Sequence, residues 1–190
     1  MVSKLNCLFI SIIFTVLLVN NITAQPQKGN FINANIGLGV SVPYDDYEIA
    51  GSGFYIQGEY VLGLKTWFGL RPYAGFITTS PNEDVTSENL RAFEVTSSAF
   101  LLGTKARIVA PIPWIAPYVE IGIGASIGSF TTYTPDTNKE AKGLLYHIPF
   151  TIGLALGPKH NVEVAFVYFV HPTVEHVNGA AALGLSFPLN

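Results

Sequence analysis

Glu59, Arg71, Lys105, Arg107, Glu120 and Glu163 are spread over more than a hundred residues, yet they share one structural parity. Each lies in a run where aliphatic side chains occupy every second position and the charged residue falls between them. Successive side chains of an extended strand point to opposite faces. All six charges therefore point away from the apolar face, toward an interior. Three are acidic and three are basic, so the group is nominally neutral. Carboxylates beside guanidinium and ammonium groups could supply a catalytic acid or base, or a gated polar path. They could equally be a set of buried ion pairs, because an isolated buried charge carries a penalty of about several kcal/mol.

A second cluster is His171-Pro-Thr-Val-Glu-His176. Two imidazoles and a carboxylate within six residues have the composition of a metal site or a hydrolase centre. No clear nucleophile and base accompany them, and the proline-containing stretch reads as a solvated loop. His147 has inward parity, and His160 falls in a turn; neither has metal-like spacing. The glycines recur at period two and form no phosphate-binding loop. No catalytic residue, no metal site and no cofactor are expected.

The elements that would position these residues are strands. The run from Ala116 to Phe130 is the clearest, with Val119, Ile121, Ile123, Ala125 and Ile127 on one face. Tyr118, Glu120, Gly122, Gly124, Ser126 and Gly128 lie on the other. An apolar face opposed to small and polar residues suits a strand with lipid outside and a cramped interior. The same alternation predicts strands over Phe31–Val42, Gly53–Leu64, Trp67–Thr79 and Ala92–Val109. It predicts three more over Tyr146–Gly157, Val162–His171 and Gly179–Leu189. Glu94 breaks the parity, which predicts a bulge or a position outside the membrane.

The connections alternate in kind. Pro43–Ser52, Ser80–Arg91, Thr131–Leu145 and Pro172–Asn178 read as longer polar loops; Lys65–Thr66, Ala110–Ile115 and Pro158–Asn161 read as short turns. Short periplasmic turns, longer extracellular loops and an even strand count are the plan of a transmembrane barrel. Trp67, Trp114 and Phe187 on the turn side suggest one interfacial girdle. Tyr44, Tyr47, Phe54, Phe76, Phe130, Tyr133 and Tyr146 on the loop side suggest another.

Composition agrees. Charged residues make up 12% of the 190, about half the roughly 25% of a soluble domain. Past the leader no apolar run approaches the roughly 20 residues of a spanning helix. Met1–Ala24 has a basic start, an apolar run and a small final residue, the layout of a secretory signal peptide; residues 25–190 form the expected barrel domain. Cys7, the only cysteine, falls in the leader, so the exported chain would hold no disulfide or thiolate chemistry. Without Lys4 the chain keeps nine basic and thirteen acidic residues, a net charge of −4, which gives no reason to expect a nucleic-acid partner.

On this strand pattern, and on the closing strand Ala182-Leu-Gly-Leu-Ser-Phe-Pro-Leu189, the chain resembles the small eight-stranded outer-membrane barrels of the OmpA and OmpX type. The resemblance covers Phe31 to Leu189. It implies an all-β, eight-stranded, antiparallel, up-and-down transmembrane barrel in the outer membrane, monomeric and surrounded by outer-membrane lipids. It also implies assembly machinery that reads the closing strand, here with Phe187 as its aromatic, and a lumen filled by ion pairs. Because an eight-stranded barrel is just wide enough to be filled by side chains, the six inward charges fit a plug better than a path. A non-enzymatic structural or loop-binding role follows. A first alternative is a lipid-modifying hydrolase resembling the lipid A deacylases, which carry a His-x-Ser arrangement near the chain end. Here Thr173 and Val174 stand where serine and asparagine would be. A second alternative is a secreted lipocalin-like barrel binding a small apolar ligand.

Overall fold

A computed structural model describes residues 28–81 and 93–189. The expected leader, the lead-in through Gln27 and most of the loop between the third and fourth strands lie outside the described residues. Eight strands run in chain order: β1 Gly29–Pro43, β2 Gly51–Gly63, β3 Phe68–Pro81, β4 Glu94–Val109, β5 Ile115–Tyr133, β6 Asn138–Leu156, β7 Val162–His171 and β8 His176–Pro188. Each pairs antiparallel with its neighbour, and β1 also pairs with β8, from Phe31↔Pro188 to Pro43↔His176. The barrel is closed. No strand edge is left at membrane depth, where an unpaired backbone group costs several kcal/mol.

The period-two pattern decides which side chains go inside. Along β1, Asn33, Asn35 and Ser41 are buried, while Ile36 and Leu38 are 54% and 76% exposed. On β5 Ile123 is 77% exposed, and its neighbours Glu120 and Ser126 on the opposite face are buried. The outward band of Ile, Leu, Val and Phe runs round the barrel. Water would not tolerate such a continuous apolar surface. A lipocalin-like barrel has the opposite arrangement. Closed barrels with an apolar belt outside and polar groups inside are the outer-membrane class, and the chain spans that membrane with its short turns, the start of β1 and the end of β8 on one side.

Two ladders are interrupted. The β2–β3 pairing skips the positions facing Arg71 and Pro72, and β5–β6 skips those facing Ile148 and Pro149. Proline donates no hydrogen bond to a ladder, so each gap sits at a proline.

The structure corrects four expectations at the loop end. First, Thr131–Leu145 is not a long loop: β5 and β6 each run for 19 residues and leave only residues 134–137 between them. Second, β8 begins at His176, so the last loop shrinks to residues 172–175. Third, no bulge accompanies Glu94, because the β4–β5 register is continuous from Glu94↔Tyr133 to Val109↔Tyr118, which leaves the other expectation, a position beyond the membrane. Fourth, Phe130 does not join an outer girdle but is fully buried in the lumen. One physical reason covers all four. Above the membrane the outside is water, so the alternation keeps its period and reverses its polarity. Val95, Phe130 and Val174 are buried inside, and Ala141 and Leu145 pack against that core. Outside on the same strands stand Glu94, Thr96, Glu140 and Lys142.

Candidate functional site in the lumen

Five strands supply the charged layer. Glu59 comes from β2, Arg71 from β3, Lys105 and Arg107 from β4, Glu120 from β5 and Glu163 from β7. All six side chains are buried and they meet. Arg71 contacts Glu59 at 2.7 Å and Glu163 at 2.8 Å, with its Nε 3.6 Å from Glu120. Lys105 bridges Glu59 and Glu120 at 2.6 and 2.7 Å. Arg107 donates to Glu120 at 2.6 Å and clasps both oxygens of Glu163 at 2.8 Å. Planar guanidinium groups match carboxylates in this two-point manner, and such charge-assisted bonds are about twice as strong as neutral ones.

Neutral groups complete the layer. Gln57 donates to Glu59 at 2.6 Å, and the Tyr118 hydroxyl donates to Glu163 at 3.1 Å. The Arg107 guanidinium also lies 3.4 Å from the Tyr118 ring centre, a cation–π contact. Three cations and three anions are mutually paired across the bore, with Arg71 Nε left without a hydrogen-bond acceptor.

Toward the extracellular side lies a layer with no charge. Tyr55, Tyr73, Leu101, Ile77 and Phe169 fill it, and a hydrogen-bonded chain of imidazoles rises from it. The direction of every proton in that chain follows from its last member. A carbonyl can only accept, so His171 Nδ1, 3.0 Å from the Phe169 oxygen, carries the hydrogen. Its Nε2 must then accept from Ser126 Oγ at 2.8 Å. Ser126 has spent its proton and accepts from His147 Nδ1–H at 2.6 Å. His147 Nε2 is left to accept from the Tyr73 hydroxyl at 2.5 Å. With both imidazoles neutral, each is thereby held in one tautomer. Gly124 makes room for it, because a Cβ there would sit against His147 Nε2 and Tyr73 Oη.

A second chain lies above. Ser41 and Ser97 both donate to Asn178 Oδ1, at 2.5 and 2.9 Å. Ser97 Oγ thus accepts from His176 Nε2–H at 3.0 Å, and Thr132 donates to His176 Nδ1 at 2.7 Å. Phe130 packs between the two chains, with ring centres 4.8 Å from His171 and 5.7 Å from His176.

The loops close over this layer. Thr134 and Thr137, in the β5–β6 turn, donate to Asp45 of the first loop at 2.7 and 3.0 Å. Lys139 pairs with Glu175 of the last loop at 2.5 Å, and the Tyr44 amide donates to the Glu175 carbonyl at 3.0 Å. Tyr47 reaches Asp136 at 2.9 Å.

His171 and His176 are not in a solvated loop. Both are fully buried, because β7 and β8 extend far enough to pair them and turn them inward. Glu175 points away to Lys139, so the three residues do not converge. Among the described residues no three His, Cys, Asp or Glu side chains are arranged to hold a metal ion. His147 points into the extracellular half of the lumen, and His160 sits in the β6–β7 turn with Nε2 donating to the Ile112 carbonyl at 3.0 Å. The Tyr73, Ser97, Ser126 and Thr132 hydroxyls carry no sequence signal as partners, because each meets its histidine from a different strand; inward parity is legible for the first three, and Thr132 falls in what reads as a loop.

Ser126–His147 and Ser97–His176 bring hydroxyl and imidazole together, the first step toward an activated nucleophile. Neither serine is reached by solvent, and no carboxylate orients either imidazole. These contacts hold strands together.

No family model matches the chain, and no curated protein matches it. Solved structures do. Neisserial surface protein A (NspA) is similar over 85% of this chain and 98% of its own, with 10% identity and a TM-score of 0.54. The outer membrane protein OprG from Pseudomonas aeruginosa covers 87% of this chain and 99% of its own, at 9% identity and a TM-score of 0.52. Ail, the attachment invasion locus protein of Yersinia pestis, covers 85% of this chain and all of its own, at 14% identity and 0.48. The chain has the fold of the small outer-membrane barrels.

Proposed function

We propose that this protein is a non-enzymatic, monomeric outer-membrane barrel whose lumen is plugged, so that its working surfaces are its outer wall and its extracellular loops. The observation that carries the reading is the six-residue ion-pair layer across the bore. An eight-stranded barrel has little room beyond its side chains, and opening a path would require separating charges that are all mutually paired. The two imidazole chains and the tied loops stand as further barriers above it. Outer-membrane lipids cover the apolar belt, and barrel assembly machinery inserts the chain through its closing strand.

The test is conductance in planar bilayers together with gel mobility, unheated against boiled. The reading expects a fast-running folded band and no conductance steps. Discrete steps from the folded species would overturn the plug. The non-enzymatic part is tested by mass spectra of lipid A and phospholipids from cells with and without the protein; an expression-dependent change in acylation would overturn it.

A further inference from the structure

Eight lysines and arginines fall among the described residues. Arg71, Lys105, Arg107, Lys139 and Lys142 each have a carboxylate partner. Lys28, Lys65 and Lys159 have none among the described residues, and all three lie at the periplasmic end, where the described turns carry no Asp or Glu. Lys65 rests over the Trp67 ring, 5.2 Å from its centre. Lys65 and Lys159 line one cavity of about 320 Å³ at the barrel mouth, below the ion-pair layer. That volume lies at the low end of the roughly 300–1,000 Å³ typical of small-molecule sites.

The cavity is built in three levels. Its floor is Glu163 with Arg71 and Arg107, already paired to one another. Its wall includes the buried apolar side chains of Val61, Val109 and Ala155. Its rim carries Lys65 and Lys159, with His160 beside them. His160 is 6% exposed; its Nε2–H is given to Ile112, and its Nδ1 has no partner. A buried acceptor left unpaired is uncommon in a native protein. The unpaired cations at the rim and the apolar wall point to one ligand chemistry; the His160 acceptor plays no part in it, because an anion offers it no hydrogen.

We propose that the periplasmic mouth binds a small organic anion, a carboxylate or phosphate monoester with a short apolar body. Its acid group sits at Lys65 and Lys159, and its body lies against Val61, Val109 and Ala155. This site is independent of the plugged-lumen reading, because it lies on the periplasmic side of the charged layer and would stand even if the lumen conducted.

The experiment is calorimetric titration of the folded barrel in zwitterionic lipid nanodiscs with hexanoate, hexyl phosphate, hexylamine, hexanol and inorganic phosphate. The proposal expects one-to-one binding of the two hexyl acids, weakened by salt. It expects no saturable binding of hexylamine or hexanol, and at most weak binding of inorganic phosphate. In a K65Q/K159Q variant, altered only at exposed turn positions and checked for the fast-running folded band, affinity for both acids should fall at least tenfold. Ala155→Leu, which fills the wall, should weaken both acids as well. The proposal is overturned if neither acid binds, if hexanol or hexylamine binds as well as hexanoate, if inorganic phosphate binds as tightly as hexyl phosphate, or if the double lysine variant keeps its affinity.

Discussion

Replacing Glu163 by glutamine tests the charged layer most directly. Glutamine keeps the shape of the side chain and removes its charge. In the native barrel Glu163 receives Arg71 at 2.8 Å, Arg107 at two points of 2.8 Å, and the Tyr118 hydroxyl at 3.1 Å. After the change, two guanidinium groups face an amide whose NH2 end repels them, and the layer passes from neutral to a net charge of +1. Removing one partner of a buried ion pair costs about 3–5 kcal/mol, because the remaining charge stays buried without compensation. Glu163→Gln should therefore lower the unfolding free energy by about that much, read from urea titrations of the barrel in lipid vesicles with gel mobility as the probe. Adding Arg107→Gln restores neutrality, so the double variant should be more stable than the sum of the two single losses by at least about 1 kcal/mol. Two results would refute the reasoning. One is a Glu163→Gln loss within about 0.5 kcal/mol of zero, the behaviour of a surface site. The other is simple additivity in the double variant.

Ser126→Ala strands both His147 Nδ1–H and His171 Nε2, and should cost about 1–3 kcal/mol for each buried group left unpaired; the same urea titration reads it, and an unchanged midpoint would show that the imidazoles find other partners. Ile123→Lys places an ammonium on the most exposed aliphatic position of β5. It should cost about 2–4 kcal/mol if that residue faces the middle of the bilayer, with no comparable loss at Glu94→Lys above it. Asp45→Asn weakens the ties from Thr134 and Thr137 and should speed proteolytic nicking of the loops while leaving the unfolding free energy within about 1 kcal/mol; identical nicking rates would show that Asp45 does not hold the loops.

How much of this was legible depended on whether a residue's fate is set locally. Parity is local: Arg71 and Lys105 could be assigned inward from their immediate neighbours, since a one-residue shift would have put leucine and phenylalanine inside. The strand order followed for the same reason. The extracellular third was misread because the environment outside the barrel changes there while the period does not. Glu140 and Lys142 look like loop residues to a reader expecting lipid, and they are strand residues facing water. Pro172, Thr173 and Glu175 are good turn formers, and they drew His171 and His176 into a loop that is really three residues shorter at its β8 side than at first sight. The pairing of His147 with Tyr73 and Ser126 joins β6 to β3 and β5 and has no signature in one strand alone.

The distribution of the charged layer along the chain has a consequence for assembly. Glu59, Arg71, Lys105, Arg107 and Glu120 arrive on four consecutive strands, β2 to β5, and together carry a charge of +1. The missing anion, Glu163, is on β7, a strand that only reaches Arg71 and Arg107 across the bore when the sheet curls to closure. A half-formed sheet thus holds an uncompensated cation that its own lumen cannot neutralise, and the final curling is what removes it. The layer that obstructs the finished barrel also makes every unclosed intermediate electrostatically incomplete, so the chain has one neutral end point and must go all the way round to reach it.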